Sequence, residues 1–290
     1  MFKRILIVTD LSKNSASLIS CLKGLKSFGT EEMLLLVCLG QVDASTAVLQ
    51  YADDDLKKYV ENQRQMLVGQ GYDAEAKILV DATFDEINRI ADDGNYDAIV
   101  VGALKRTFTD RIMFNDLAYE IIAQTHKPIL LIRLEKNDKN ELPDIETIGN
   151  HIMFPTDFSE NAEDAFEYVV DAAGTMANKV TIVHVQDESG FSPYLSQQLR
   201  KFDVHMNQHL QDLEKRLSHK ENVTVDTVVK YGSPTGVMLD LIDELQVHLV
   251  IMGRQGRGFI KDLFLGSVSN NICRLSSASV LLIPSKQERK

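Results

Sequence analysis

The sequence predicts an α/β protein written twice, each copy holding a five-stranded parallel sheet flanked by helices. Three observations predict this. Residues 3–15 (KRILIVTDLSKNS) match residues 150–162 (NHIMFPTDFSENA), with the apolar run, the Thr-Asp pair, the Ser and the Asn in register. Residues 99–133 align with 250–284 without a gap, from IVVG and VIMG to the closing runs ILLI and VLLI. Between these anchors, short β-branched apolar runs alternate with amphipathic stretches, as βαβ units require.

Taken in order, the strands of the first copy are expected at residues 4–9, 33–39, 76–80, 98–102 and 129–132. Those of the second are expected at 152–156, 180–185, 225–230, 249–253 and 280–283. The stretches between them read as helices. In one of them Leu199, Phe202, Met206, Leu210, Leu213 and Leu217 recur every three or four residues, which makes one buried face. The polar segment 135–143 reads as the linker, so the domains are expected at 1–135 and 147–290.

A chain of 290 residues, 44% hydrophobic, can fill two such cores. Forty-two Asp and Glu against thirty-one Lys and Arg leave a charge of -11, the wrong sign for binding nucleic acid by counterion release. The amino terminus begins like a signal peptide, but Asp10 interrupts its apolar run and no small-residue cleavage site follows. No other apolar run approaches the roughly 20 residues that span a bilayer. A cytoplasmic protein with no membrane segment is therefore expected.

Cys21, Cys38 and Cys273 are too few and too far apart for a zinc cluster or a disulfide framework, and read as buried thiols. His205 and His209 are four apart on one helix, with His219 beyond its end. No Cys or Glu completes a tetrahedral set, so surface positions are expected and no metal site. There is no Gly-x4-Gly-Lys-Ser/Thr loop, no Gly-x-Ser-x-Gly elbow and no recognisable Cys-His pairing. Nothing identifies a catalytic base, and no enzyme is expected.

In open parallel sheets a ligand lies beyond the carboxyl ends of the strands, where strand order reverses. The loops after the first and fourth strands are therefore the informative ones. After the fourth strand of the second copy come Gly253-Arg254-Gln255-Gly256, nine residues, and then Gly266-Ser267-Val268-Ser269, which opens a helix. Glycine lets backbone approach a phosphate closely, and a helix N-terminus offers unpaired N–H groups and a positive dipole end. Ser267 and Ser269 add hydroxyls at the same place, and together these residues read as a phosphate cradle.

The spacing Gly-x2-Gly-x9-Gly-Ser, together with Pro155-Thr156-Asp157 at the end of a first strand, resembles the nucleotide motif of the universal stress protein family, once per half of the chain. The resemblance implies two flavodoxin/Rossmann-like repeats and binding of ATP, with or without Mg2+, in the second. By the same resemblance Asp157 and the backbone of Pro155 and Thr156 would hold adenine or ribose, and Val185 would line the adenine pocket. Met252 and Gly253 would pack under the nucleoside. Gly256, Gly266, Ser267, Val268 and Ser269 would wrap the phosphates, and Gln255 stands where relatives carry His or another polar residue. Asp157 also has the spacing to cap the helix that follows, a role compatible with the first.

The first copy reads Gly102-Ala103-Leu104-Lys105, nine residues, then Asn115-Asp116, so only the first glycine survives and a carboxylate replaces Ser267. Like charges repel in a shielded pocket, and one site is expected, in the second copy. Lys105, Arg106 and Arg111 read as a solvated loop. The resemblance further implies intramolecular pairing of the repeats through 129–132 and 280–283, a homodimer as an option, and a protein partner that the residues do not name. Two other functions stay open: an adenylyl-transferring enzyme of the same fold group, and a binder of an apolar molecule in a cleft near Tyr194, Leu195 and Leu199.

Overall fold

The computed structural model describes residues 1–10, 13–39, 46–103, 121–134, 148–187, 196–256 and 265–286. The chain divides into two compact units, Met1–Glu146 and Thr147–Lys290. In the first unit the strands are β1 (Arg4–Thr9), β2 (Glu32–Leu39), β3 (Asp73–Val80), β4 (Ala98–Ala103) and β5 (Ile129–Arg133). They are parallel and lie in the order β3-β2-β1-β4-β5. The described helices are α1 (Lys13–Cys21), α2 (Thr46–Gly69) and α3 (Phe84–Asp93). A 3₁₀ helix, Leu22–Phe28, follows α1 and ends on Gly29 at φ 83, the left-handed conformation that glycine adopts without penalty.

The second unit repeats the plan with β6 (His151–Pro155), β7 (Lys179–Gln186), β8 (Thr224–Tyr231), β9 (Leu249–Gly253) and β10 (Ser279–Ile283). Their order is β8-β7-β6-β9-β10, again all parallel. The helices are α4 (Glu160–Ala172), α5 (Ser196–Leu217), α6 (Pro234–Glu244) and α7 (Ser267–Leu275). Every strand read from the sequence is present, with ends shifted by up to three residues.

The central strands are continuous apolar runs because crossover helices cover both faces of a parallel sheet. Ile5, Leu6 and Ile7 of β1, Ile99 and Val100 of β4, and Ile152, Met153 and Phe154 of β6 are fully buried. The α5 stripe faces inward as its periodicity requires, with Met206, Leu210, Leu213 and Leu217 all buried. Cys21, Cys38 and Cys273 are buried free thiols. Burial, with Glu86 and Asp10 nearby, pushes the Cys38 thiol up to about 12, so it stays protonated and inert. Among the described residues no helix is long and apolar enough to cross a membrane.

Strand order reverses between β1 and β4 in the first unit and between β6 and β9 in the second. Such a switch point, beyond the carboxyl ends of the strands, is where open parallel sheets bind their ligands. The linker 135–143 and the first-unit residues Lys105, Arg106, Arg111, Asn115 and Asp116 lie outside the described residues, as do Tyr194 and Leu195.

Candidate functional site

At the switch point of the second unit, β6 ends in Pro155 and the chain turns through Thr156, Asp157 and Phe158 into α4. Thr156 stays tied to the sheet, its N–H donating to Val183 O at 2.8 Å. Its Oγ1 accepts from the Phe158 N–H at 3.0 Å, and Phe158 takes a positive φ of 59. Asp157 Oδ1 accepts from the Ser159 N–H at 3.0 Å. The N-cap itself is Ser159, whose hydroxyl accepts from the Ala162 N–H at 3.2 Å. Asp157 thus fixes the turn, and its neighbour caps the helix.

The other carboxylate oxygen of Asp157 faces the glycine loop. A Cβ built on Gly256 would lie 2.6 Å from Asp157 Oδ2, so any side chain at residue 256 would have to push the carboxylate aside. The loop is sewn to the start of α7. The Gly266 N–H donates to Arg254 O at 3.0 Å, and Ser269 Oγ donates to Gly253 O at 3.1 Å. Gly266 is the N-cap of α7 in extended conformation, φ -65 and ψ 150, and makes no side-chain cap bond. Its lack of a side chain serves close approach, since a Cβ would come within 3.3 Å of Arg254 O. Ser267 is exposed at the first helical position and Val268 is half-buried.

The structure thus brings Asp157, Gly253, Gln255, Gly256, Gly266 and Ser269 together at one end of the sheet. Pro155 and Val185 are half-buried at the ends of their strands, and Met252 is buried within β9 beside Leu282. Ser269 is placed inside the cradle. Its hydroxyl is buried and donates to the Gly253 carbonyl, whereas Ser267 is exposed. Arg254, the cation within the motif, is only 2% exposed. An anion here would therefore meet backbone N–H groups and the α7 dipole.

Two features were missed from sequence. Asn161, on the first turn of α4 and 6% exposed, donates from Nδ2 to Ile283 O at 3.0 Å and accepts from the Gln255 N–H at 2.8 Å. It links the glycine loop to the end of β10, and a Cβ on Gly253 would strike its Oδ1 at 2.9 Å. The repeated Asn of the two opening segments was its only sequence signal. The second feature is a ring stack, with Phe158 4.7 Å from His184 and 5.2 Å from His209, centroid to centroid. His184 Nδ1 donates to Thr156 O at 2.8 Å, which fixes the ring beside the turn. His209 is exposed, as read from α5, and the His205 side chain lies outside the described residues.

The corresponding place in the first unit is built differently. A Cβ on Gly102 would meet Leu134 Cδ1 at 2.7 Å and both methyl groups of Leu18 at 3.4 Å. Two leucines fill the space under the first glycine, where the second unit holds an amide.

The sequence model of the universal stress protein family matches residues 1–133 and 149–284. A universal stress protein of Methanocaldococcus jannaschii is 27% identical over an alignment 161 residues long that covers 47% of this chain and 94% of that protein. A solved universal stress protein of Archaeoglobus fulgidus DSM 4304 superposes with a TM-score of 0.71 over 98% of both chains at 19% identity, a likeness of fold. A Pseudomonas aeruginosa protein of unknown function gives 0.67 over 99% of this chain at 13% identity, likewise a likeness of fold. With two family segments spanning nearly its whole length, the chain belongs to the universal stress protein family.

Proposed function

We propose that the second unit binds one ATP in the cleft between Asp157 and the start of α7, and that occupancy of this cleft biases a surface read by a protein partner in a stress response. One observation carries the reading: the uncapped α7 N-terminus is stitched against a glycine loop whose Gly256 faces the Asp157 carboxylate. In this reading Asp157 and the backbone of Pro155 and Thr156 meet the ribose or adenine, with Val185 lining the base pocket. Gly256, Gly266, Ser267 and Val268 then face the phosphates, and Mg2+ accompanies them where bound. In a chain of charge -11, an approach through backbone amides supplies the positive potential that the composition lacks.

The test is a calorimetric titration with ATP of the wild-type chain and of Gly266→Val. Because Gly266 is at φ -65, valine meets no backbone strain, though Arg254 O, 3.3 Å from the added Cβ, must give by a few tenths of an ångström, so folding of the variant is checked first by circular dichroism. Its branched side chain stands at the mouth of the cradle, and loss of ATP binding in a folded variant is expected. Unchanged affinity in a folded Gly266→Val protein refutes the site. Assaying ADP and pyrophosphate release over hours separates this reading from an ATP-splitting enzyme.

A further inference from the structure

Strand β8 forms the outer edge of the second unit, with β7 on one side only. At its two ends the Thr224 and Gly232 N–H groups donate to Asn178 O at 2.9 Å and Gln186 O at 3.0 Å. Backbone polar groups alternate sides along a strand. The even-numbered residues therefore turn theirs toward β7, and Val225, Thr227 and Val229 turn theirs outward. No hydrogen bond of these outward groups occurs among the described residues. The strand is eight residues long, contains no proline, is rich in Val and Thr, and has no fully buried side chain. An edge of this kind is a template for another strand.

The opposite case is the edge strand of the first unit. In β3 the Asp73 and Asp81 N–H groups donate to β2, at 3.0 Å to Glu31 O and 2.9 Å to Leu39 O, so Ala74 faces outward. Its carbonyl is closed off by Arg64 Nη1 at 3.1 Å, and Arg64 is held in place by Glu61 at 2.6 Å.

We infer that β8 pairs antiparallel with β8 of a second copy of this chain, about a two-fold axis through Val228. The ladder can form only where outward groups face outward groups, which sets odd residues opposite odd residues. In the register centred on Val228, Thr227 faces Val229 of the second copy and Val225 faces Tyr231. The same register places Asp226 directly opposite Lys230, and Lys230 opposite Asp226. These are non-hydrogen-bonded positions, where side chains come closest. Sliding either strand by two residues breaks both charge pairs. Asp226 already contacts Lys179 of β7 at 3.1 Å, so it would lie between two cations, and Lys230 has no carboxylate partner among the described residues. A two-fold contact is closed and stops at a dimer. A single strand pair buries little area, so the dimer is reversible and concentration-dependent.

The inference is independent of the nucleotide reading and is tested on the full chain without nucleotide, by sedimentation equilibrium over a concentration series. A monomer–dimer equilibrium is expected for the wild type. Asp226→Lys and Lys230→Asp each set like charges opposite one another and should weaken self-association roughly tenfold or more. An equimolar mixture of the two variants restores opposite charges at every position and should dimerise as well as wild type, which misfolded chains could not do. Thr227→Pro removes an outward N–H without touching the β7 ladder and should give a monomer. A wild type that stays monomeric throughout the series, a mixture that shows no recovery, or a Thr227→Pro protein that still dimerises overturns the pairing.

Discussion

Asn161 shows how much can rest on one side chain. Its amide gives the buried Ile283 carbonyl at the end of β10 a second donor beside the Arg254 N–H, and its oxygen accepts from the half-buried Gln255 N–H at the start of the glycine loop. Asn161→Ala removes the acceptor of the Gln255 N–H and one of the two donors to Ile283 O, and a loss of about 1–3 kcal/mol from the second unit is expected. Urea unfolding measures that loss, and an ATP titration of the folded variant should show weakened binding, because the loop is no longer held. No such role could be read from the sequence. The repeated Asn was visible, but an amide spanning two loops more than ninety residues away is fixed only by tertiary packing. Gly256 and Asp157 were legible, since a glycine spacing and a strand-end carboxylate keep their meaning wherever the fold places them. The inward bond of Ser269 to Gly253 was hidden for a related reason, since a serine at a helix start has the same chemistry whichever way its hydroxyl turns.

Among the elements, the strands were legible because a parallel sheet buried on both faces writes itself as short uninterrupted runs of Ile, Val and Leu. The 3₁₀ helix at Leu22–Phe28 was not, since its lysines and glycine carry no period that separates it from a loop. The ties between elements were equally hidden. His151 in β6 donates from Nδ1 to Leu245 O, at the end of α6, at 3.1 Å, and Nε2 accepts from Thr181 Oγ1 of β7 at 2.8 Å. Burial first, and then the positive charge of Lys179, lowers its pKa, with His248 acting the same way and Asp226 opposing. The unfolded chain therefore binds more protons than the folded one once pH falls below about 6.5, the ordinary histidine value, so stability rises with pH across that window. His151 contributes fully above about 6.5, and its contribution is lost as pH falls through the lowered folded value. Thermal melts from neutral to mildly acidic pH should show the second unit weakening, and His151→Gln, which can keep both hydrogen bonds without titrating, should flatten that dependence. An identical pH slope in wild type and variant rejects the assignment.

At the scale of the whole molecule, duplication and divergence together set the expected stoichiometry. Both units share the strand order and the first-strand Asp, and a claim from fold alone would give two nucleotides per chain. We expect one. Titration with ATP should saturate near one equivalent, and a stoichiometry near two refutes the argument. Sequence already distinguished the units through Lys105, Asn115 and Asp116, which replace Gly256, Gly266 and Ser267. The packing of Leu18 and Leu134 against Gly102 was not legible, because neither residue lies in the motif. Changing the three loop residues to Gly, Gly and Ser would therefore leave the space beneath Gly102 occupied. Those two leucines also divide the copies by what supports them. A ligand that binds only the native form adds to stability in proportion to the logarithm of its concentration, so the second unit's robustness would follow the cell's nucleotide supply. In the same reading the first unit, with Leu18 and Leu134 packed against Gly102, would carry no such dependence, and one chain would join a copy that responds to metabolic state to one that does not.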